Sequence, residues 1–193
     1  MCMSELCGIF VSINRDLIKH RNNNMAKEVS VLVGAGSIGQ AIARRVGAGK
    51  ITVLADYSIE NANRAAKTLE DAGFETRTIS MDLGNKESIL NLVKFATELG
   101  PVKYLINAAG VSPSQAPVAK ILQVDLYGTS VLIEEFGKVI AEGGSSVIIS
   151  SQSGHRLPAL SLEENEALAT SPVEALLHLP FIEAITDTLK AYQ

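Results

Sequence analysis

The sequence of 193 residues contains no tryptophan, only two cysteines, and aromatic residues at 5%. Cys2 and Cys7 have no cysteine or histidine at ligand spacing, so we expect neither a disulfide scaffold nor a metal site. This cysteine usage favours a reducing, cytoplasmic location. A net charge of −4 leaves no basic patch for phosphate backbones, so nucleic-acid binding is not expected. The uncharged apolar runs are shorter than the roughly 20 residues that a membrane span requires.

The N-terminal segment differs from the rest of the chain. Residues 6–13 form an apolar run, but Glu5 precedes it, basic and polar residues follow it, and no small-residue cleavage site is present. We therefore do not interpret it as a signal peptide. Residues 1–24 are expected to be a disordered extension, and Met25 opens the strongly patterned region.

Strand and helix patterns alternate from residue 27 onward. Apolar, β-branched runs predict strands at residues 28–33, 51–55, 75–79, 103–107 and 146–150, and the intervening periodicity predicts helices at 38–46, 59–72, 86–99 and 118–142. Strands separated by helices indicate a parallel sheet covered on both faces. We predict a doubly wound α/β (Rossmann) domain over residues 25–156, with strand order 3-2-1-4-5 and a ligand crevice at the carboxyl ends of the first and fourth strands.

Residues 157–193 are predicted to form a helical lid. Ser161 and Glu164 have the spacing of a capping box, and Ser171-Pro172 followed by Glu174 indicates a second helix start. A third helix is predicted over residues 181–192. Apolar lid residues suggest the wall of an apolar pocket: Leu157, Leu160, Leu177 and Phe181.

A glycine-rich loop follows the first strand and opens a helix, which is the context in which this pattern is informative. Its first glycine permits a tight turn, the second lets backbone approach a diphosphate, and the third lets helix and strand pack closely. Unpaired amides and the helix dipole would then face the phosphates. The loop predicts a nicotinamide dinucleotide site at Gly34, Gly36, Ser37, Ile38 and Gly39.

Asp56 lies at the end of the second strand, where a carboxylate can accept hydrogen bonds from both ribose hydroxyls of the adenosine. A 2′-phosphate about 4 Å away would be repelled by about 4 kcal/mol per charge pair at an effective dielectric constant near 20. Neither Tyr57, which is also expected at the cofactor, nor Ser37 supplies a cation. NAD is therefore favoured, while NADP stays open because Arg44 or a rotated Asp56 could change the outcome.

Further motifs occur in a fixed order along the chain, and together with the glycine loop they resemble the short-chain dehydrogenase/reductase family over about residues 28–156. The resemblance implies an adenine contact at Asp82 and a cofactor site shaped by the segment after the fourth strand. The motifs are Asp82-Leu83, Asn107-Ala108-Ala109-Gly110, residues 124–129 and residues 150–154.

The same resemblance implies the catalytic groups. Ser151 would polarise the substrate oxygen, with Ser153 as the alternative. The family's tyrosine usually follows that serine by about thirteen residues, where this sequence has Glu164; Tyr192 is the remaining candidate for proton exchange, although its helical spacing with apolar residues also fits a packing role. Asp125 stands where the family usually has an asparagine that organises a proton path. The lysine expected four residues after the tyrosine would be residue 196, beyond the sequence.

Two functions follow from these observations. The first is a NAD(P)-dependent oxidoreductase that acts on a small alcohol or ketone, homo-oligomeric in its full-length form. The second is a dinucleotide-binding module without catalysis, because Asp125 and the missing lysine depart from the family pattern. We expect the sequence to represent part of a longer enzyme, truncated just after its active-site tyrosine and without the family's last strands.

Overall fold

The computed structural model describes residues 26–155 and 158–192, so the extension expected at residues 1–24 and Leu157 lie outside the described residues. Within them, five parallel strands form one sheet in the order β3-β2-β1-β4-β5, as predicted. The strands are β1 Val29–Val33, β2 Ile51–Asp56, β3 Glu75–Ser80, β4 Val102–Asn107 and β5 Ile140–Ile148.

Helices cover both faces of this sheet, which explains why the central strands are apolar throughout. All five residues of β1 are buried, and two separate apolar clusters lie on the two faces, one built around Val31 and Phe136 and the other around Leu32 and Leu69. The doubly wound α/β class is therefore confirmed. The helices that connect the strands are α1 Ser37–Val46, α2 Ile59–Glu70 and α3 Lys86–Leu99.

Polar caps fix the starts of two connecting helices. The Asn61 amide donates to the Ser58 side chain at the start of α2, and the Ser88 amide donates to the Asn85 side chain at the start of α3. In contrast, Gly36 at the start of α1 has no side chain with which to cap the helix. The N-terminal amides of α1 are therefore left without that intrinsic partner, at the carboxyl end of β1.

The long helix after β4 contains a wide segment and ends earlier than predicted. It runs through α4 Val118–Ile121, a π-helix at Leu122–Gly128 and α5 Thr129–Gly137. The prediction of helix to residue 142 was wrong, because the chain turns after Gly137 and β5 already begins at Ile140.

An irregularity within β5 explains this error. Ile140 pairs with Val102, but the next pairing joins Ser145 to Tyr104, so several residues bulge from the ladder. Gly143 lies in this bulge with φ +68°. A Cβ on Gly144 would stand 2.6 Å from the Lys103 carbonyl oxygen. Gly143 and Gly144, which separate the predicted helix from the predicted strand, therefore lie inside a bulged strand.

The segment after residue 158 is helical but interrupted. It contains α6 Leu162–Thr170 with the predicted Ser161 and Glu164 capping box, a 3₁₀ helix at Val173–His178, α7 Pro180–Glu183 and α8 Thr188–Tyr192. A continuous helix over residues 181–192 was wrong. The Lys190 amide donates to the Asp187 carboxylate, which starts a new helix and separates α7 from α8.

Candidate functional site

Two glycines of the loop after β1 are required by close backbone packing. Gly34 has φ +86°, and a Cβ there would lie 2.6 Å from the Ala109 nitrogen. A Cβ on Gly39 would lie 2.5 Å from the Gly34 carbonyl oxygen and 2.7 Å from Leu32. The first glycine therefore permits the turn beside the β4 loop, and the third lets α1 pack on β1.

The middle of the loop is open to solvent. Gly36, Ser37 and Ile38 are exposed, and a Cβ on Gly36 would meet nothing within 4 Å. A ligand can therefore approach the backbone at Gly36 directly, in front of the N-terminal amides of α1 and the positive end of its dipole. These residues fit the diphosphate of a dinucleotide.

Asp56 is tied to the glycine loop. The Ala35 amide donates to Oδ2 of Asp56 over 2.8 Å, and the Ser58 amide donates to Oδ1 over 3.0 Å. Each carboxylate oxygen retains acceptor capacity beyond these bonds. Tyr57, the next residue, is 76% exposed. The acid predicted to bind the ribose thus lies at the loop, held by backbone amides.

Asp82 and Leu83 are placed differently from each other. Asp82 accepts a hydrogen bond from the Gly84 amide over 2.8 Å and lies 3.7 Å from the Lys120 ammonium. The Leu83 side chain is 5% exposed and packs in the apolar core. A cofactor contact at Leu83 would therefore have to come from its backbone, whereas the Asp82 side chain is partly open to solvent.

The segment after β4 forms the wall next to the glycine loop. Asn107 is buried; its Oδ1 accepts from the Ala109 amide over 3.2 Å, and its Nδ2 donates to Thr129 Oγ1 over 3.4 Å. The Ala108 amide donates to the Val33 carbonyl oxygen. Gly110 is exposed. These bonds fix the shape of the segment on which the cofactor was predicted to lie.

A cavity of about 470 Å³ brings the predicted catalytic groups together with this wall. Asn107, Asp125, Ser151 and Tyr192 line it, each from a different part of the chain. Most of the remaining lining is apolar and comes largely from the π-helix, the end of β5 and the lid: Leu122, Leu126, Ile148, Ile149, Leu160, Leu168, Phe181, Ile182 and Ile185.

The two serines after β5 bond to each other. Ser151 Oγ donates to Ser153 Oγ over 3.1 Å and accepts from the Ser153 amide over 3.1 Å. Ser151 lines the cavity, whereas Ser153 is not among its lining residues. The arrangement favours Ser151 of the two candidates that the sequence left open.

Asp125 lies in the π-helix and reaches the loop after β4. Its Oδ1 accepts from the Val111 amide over 3.0 Å, while Oδ2 is buried and has no hydrogen-bond partner within the described residues. Burial raises the pKa of the Asp125 carboxyl, and the hydrogen bond from Val111 opposes that effect. π-Helical segments occur frequently at functional sites, and this one carries Asp125 to the cavity.

Lys190 is a cavity residue that the sequence analysis missed. It lines the cavity together with Tyr192, two residues later in α8. A lysine was expected four residues after Tyr192, and no spacing rule indicates a lysine two residues before it. Its place in the cavity results from the break before α8, which the sequence pattern did not predict.

A second unpredicted feature joins the lid to the sheet domain. Glu174, in the 3₁₀ helix, forms an ion pair with Lys86 at the start of α3, and the Tyr127 hydroxyl donates to Glu174 over 3.0 Å. The bond from Lys86, and secondarily that from Tyr127, holds the pKa of Glu174 below its usual value. Burial, with Glu174, raises the pKa of Tyr127.

The described residues, 26–155 and 158–192, also bear on metal binding and membrane insertion. No group of three or more histidine, cysteine, aspartate or glutamate side chains in these ranges could hold a metal ion. None of the helices described there is long and apolar enough to cross a membrane.

Comparison with known families and proteins gives consistent matches. The family model of the short chain dehydrogenases matches residues 27–161. The short-chain dehydrogenase/reductase bsc3 of Alternaria brassicicola is 36% identical over 171 residues, which are 87% of this chain and 62% of that protein. The cis-4-hydroxycyclohexanecarboxylate dehydrogenase of Sinomonas cyclohexanicum is 28% identical, over 66% of this chain and 55% of its own.

A solved structure gives the same result for the fold. A metagenomic short-chain oxidoreductase, crystallised in complex with NADP, superposes with a TM-score of 0.61 at 27% identity, covering 68% of this chain and 66% of that one. The chain spans 62% and 55% of the two curated relatives.

Proposed function

The chain belongs to the short-chain dehydrogenase family, and from this premise we propose that it acts as a NAD(P)-dependent oxidoreductase on a small alcohol or ketone. The observation that carries the proposal is the single cavity shared by Asn107, Ser151 and Tyr192. One wall of this cavity is the segment after β4 that packs against the glycine loop, and another presents the hydroxyl groups of Ser151 and Tyr192. This combination suits a reaction between a dinucleotide and a carbinol or carbonyl group.

The cofactor would lie along the carboxyl edge of the sheet. The amides at the start of α1 would hold its diphosphate, in the space that Gly36 leaves open. Asp56 would accept from the adenosine ribose, and Asp82 would lie at the adenine. Residues 107–110 would bound the end of the cofactor that reaches the cavity. When bound, the nicotinamide supplies the hydride chemistry, which no side chain can provide.

The side chains would position the substrate and exchange its proton. Ser151 would donate a hydrogen bond to the substrate oxygen, where negative charge develops as a ketone is reduced. Tyr192 would give a proton to that oxygen or take one from it. The Lys190 side chain lines the same cavity.

The lining of the cavity suggests an apolar substrate body. Leucine, isoleucine and phenylalanine side chains form much of its wall, and the hydroxyl-bearing lining residues are Thr129, Ser150, Ser151 and Tyr192. Burial of apolar substrate surface against this wall would contribute about 25 cal/mol per Å². A compact apolar alcohol or ketone is therefore the proposed substrate class.

NAD is the proposed cofactor in preference to NADP. The Asp56 carboxylate lies at the glycine loop, and no ion pair joins it to a cation within the described ranges. A 2′-phosphate at Asp56 would therefore meet uncompensated repulsion. The metagenomic relative was crystallised with NADP, so the choice of cofactor in this chain is tested by direct comparison of NAD with NADP.

Cytoplasmic location and homo-oligomeric assembly of the full-length form belong to the same proposal. Val147 of β5 is 45% exposed and Ile149 is 38% exposed. Exposed apolar residues at one sheet edge favour contact with further protein surface. Subcellular fractionation would test the location, and light scattering of the purified protein would test the assembly.

The decisive experiment mixes the protein with NAD and a panel of apolar secondary alcohols, and with NADH and the matching ketones. Near-ultraviolet absorbance follows the reduced nicotinamide, while calorimetry follows binding. Substrate-dependent turnover is the expected result. Cofactor binding without turnover across the panel would instead favour a dinucleotide-binding module without catalysis. The observation that supports this alternative is Asp125, which stands where the family usually has an asparagine. Absence of binding would refute both.

A further inference from the structure

Asp125 is held in a confined position between the π-helix and the loop after β4. Its Oδ1 accepts the Val111 amide over 3.0 Å, and a Cβ on Gly110 would lie 3.2 Å from the same oxygen. The backbone therefore packs closely on this side of the carboxyl group. That packing makes Oδ1 the oxygen that accepts the hydrogen bond from the Val111 amide, so Oδ2 faces groups other than this backbone.

The second oxygen has no compensating donor. Oδ2 is buried, and no hydrogen-bond partner reaches it within the described part of the chain. The charged and titratable groups around the same cavity are Lys190 and Tyr192 of α8. The lysine on the neighbouring helix α4, Lys120, is instead near Asp82: its ammonium lies 3.7 Å from the Asp82 carboxylate.

The two protonation states of Asp125 differ in their fit to this environment. An ionised carboxylate would bury negative charge on an oxygen that accepts no hydrogen bond, which is costly. A protonated carboxyl group is neutral, and its Oδ2 hydroxyl becomes a donor while Oδ1 still accepts from Val111. In this state the side chain presents one acceptor and one donor, as a carboxamide does.

We propose that Asp125 is a neutral carboxylic acid in the folded protein, with its proton on Oδ2, and that it serves as a positioning residue by keeping a hydrogen-bond donor in the cavity of Ser151 and Tyr192. Its protonation is independent of catalysis, whereas its positioning role rests on the proposed oxidoreductase function. Ionisation would remove the donor and add a negative charge to the cavity of Ser151 and Tyr192. Turnover should therefore fall as Asp125 ionises.

The first test measures the protonation directly, without cofactor or substrate. Carbon-13 chemical shifts of the aspartate carboxyl groups are followed against pH, and the Asp125 signal is assigned by its loss in Asp125→Asn or by through-bond correlation. The proposal predicts that Asp125 is still protonated at the pH at which turnover is measured, with a midpoint well above the ordinary aspartate value of about 3.9. A carboxyl group that is already ionised at that pH would overturn it. Asp71→Asn, at the exposed end of α2, is the matched control and should leave this titration unchanged.

The second test measures the positioning role. In the unaltered protein, kcat/KM should decline as pH rises through the Asp125 midpoint, and this alkaline limb should be absent from Asp125→Asn, whose amide keeps its donor at every pH. The same limb in Asp125→Asn would overturn the positioning role. A protein that binds cofactor but turns over no substrate would refute the proposed function, while the carbon-13 titration would still decide the protonation.

Discussion

The Ala35 amide donates a hydrogen bond to the Asp56 carboxylate over 2.8 Å, and this bond joins the glycine loop after β1 to the end of β2. The acid that is expected to choose between ribose hydroxyls and a 2′-phosphate is thus also a support of the loop that is proposed to hold the diphosphate. Changes at Asp56 should therefore affect both cofactor preference and stability.

Asp56→Asn should reduce the preference for NAD over NADP. Removal of the negative charge relieves a repulsion of about 4 kcal/mol at 4 Å, so the ratio of the two affinities should fall by about tenfold or more. Asp56 accepts hydrogen bonds from two backbone amides, and in Asp56→Asn one of these amides would lose its acceptor oxygen. This loss should lower the free energy of unfolding by about 1–3 kcal/mol. Calorimetric titration with both cofactors measures the ratio.

Asp71→Asn is the control for this experiment, since it removes an exposed aspartate at the far end of α2. The control should leave the affinity ratio unchanged. An unaltered ratio in Asp56→Asn would show that another residue discriminates between the cofactors.

Gly36→Val should abolish dinucleotide binding without unfolding the protein. The new side chain would occupy the open space in front of the α1 amides, and its backbone φ of −73° is one that valine adopts readily. An affinity loss of about 100-fold or more, equivalent to about 2.8 kcal/mol, is expected by calorimetry. Gly137→Val, at the open end of α5, is the control. Equal affinities in the two variants would refute the loop assignment.

The order of the sheet and the glycine loop could be predicted from sequence because both depend on local patterns. β-Branched runs such as that of β1, and the spacing of Gly34, Gly36 and Gly39, determine their own local structure. The bulge at Gly143 and the break before α8 were not predictable in the same way. Each depends on contacts with a distant part of the chain or on a single cap, which compete with the helical periodicity.

The candidate site was predictable to a similar extent. Ser151 and Asp125 were singled out by motif order, and Tyr192 as the remaining candidate tyrosine. The structure brings all three to one cavity. The bond between Tyr127 and Glu174 links residues 47 apart in sequence, so it depends on how the lid docks on the domain. Position in the sequence carries no signal for such a contact.

Tyr192→Phe should remove nearly all turnover while sparing cofactor affinity. The substitution keeps the ring that lines the cavity and deletes the hydroxyl that is proposed to exchange the proton. Loss of a general acid or base costs about 10²–10⁴-fold in rate. Stopped-flow or steady-state absorbance measures turnover, and calorimetry measures affinity. Tyr104→Phe in β4 is the matched control, and full activity of Tyr192→Phe would assign the proton exchange to another group.

Glu174→Gln should loosen the attachment of the lid and make the free energy of unfolding less dependent on pH in the acid range. The Lys86 ion pair lowers the pKa of Glu174 in the folded protein relative to the unfolded value of about 4.3. The stabilisation is therefore present above that value and is lost as the pH falls through the lower folded-state pKa. The difference in Tm between the unaltered protein and Glu174→Gln should shrink over that acid range.

The same variant should raise KM for the substrate more than it changes cofactor affinity, because Phe181 and Ile182 of the cavity wall follow the 3₁₀ helix that Glu174 anchors. Glu166→Gln, on α6, serves as the control. A Tm difference that is constant with pH would mean that Glu174 contributes no ionic stabilisation.

The most direct test of the whole account is a crystal structure of the protein with NAD at saturating concentration. The account predicts the diphosphate at the amides of residues 36–39, the adenosine ribose at Asp56 and the nicotinamide in the cavity beside Ser151 and Tyr192. A dinucleotide bound elsewhere, or a glycine loop that stays empty at saturation, would contradict it.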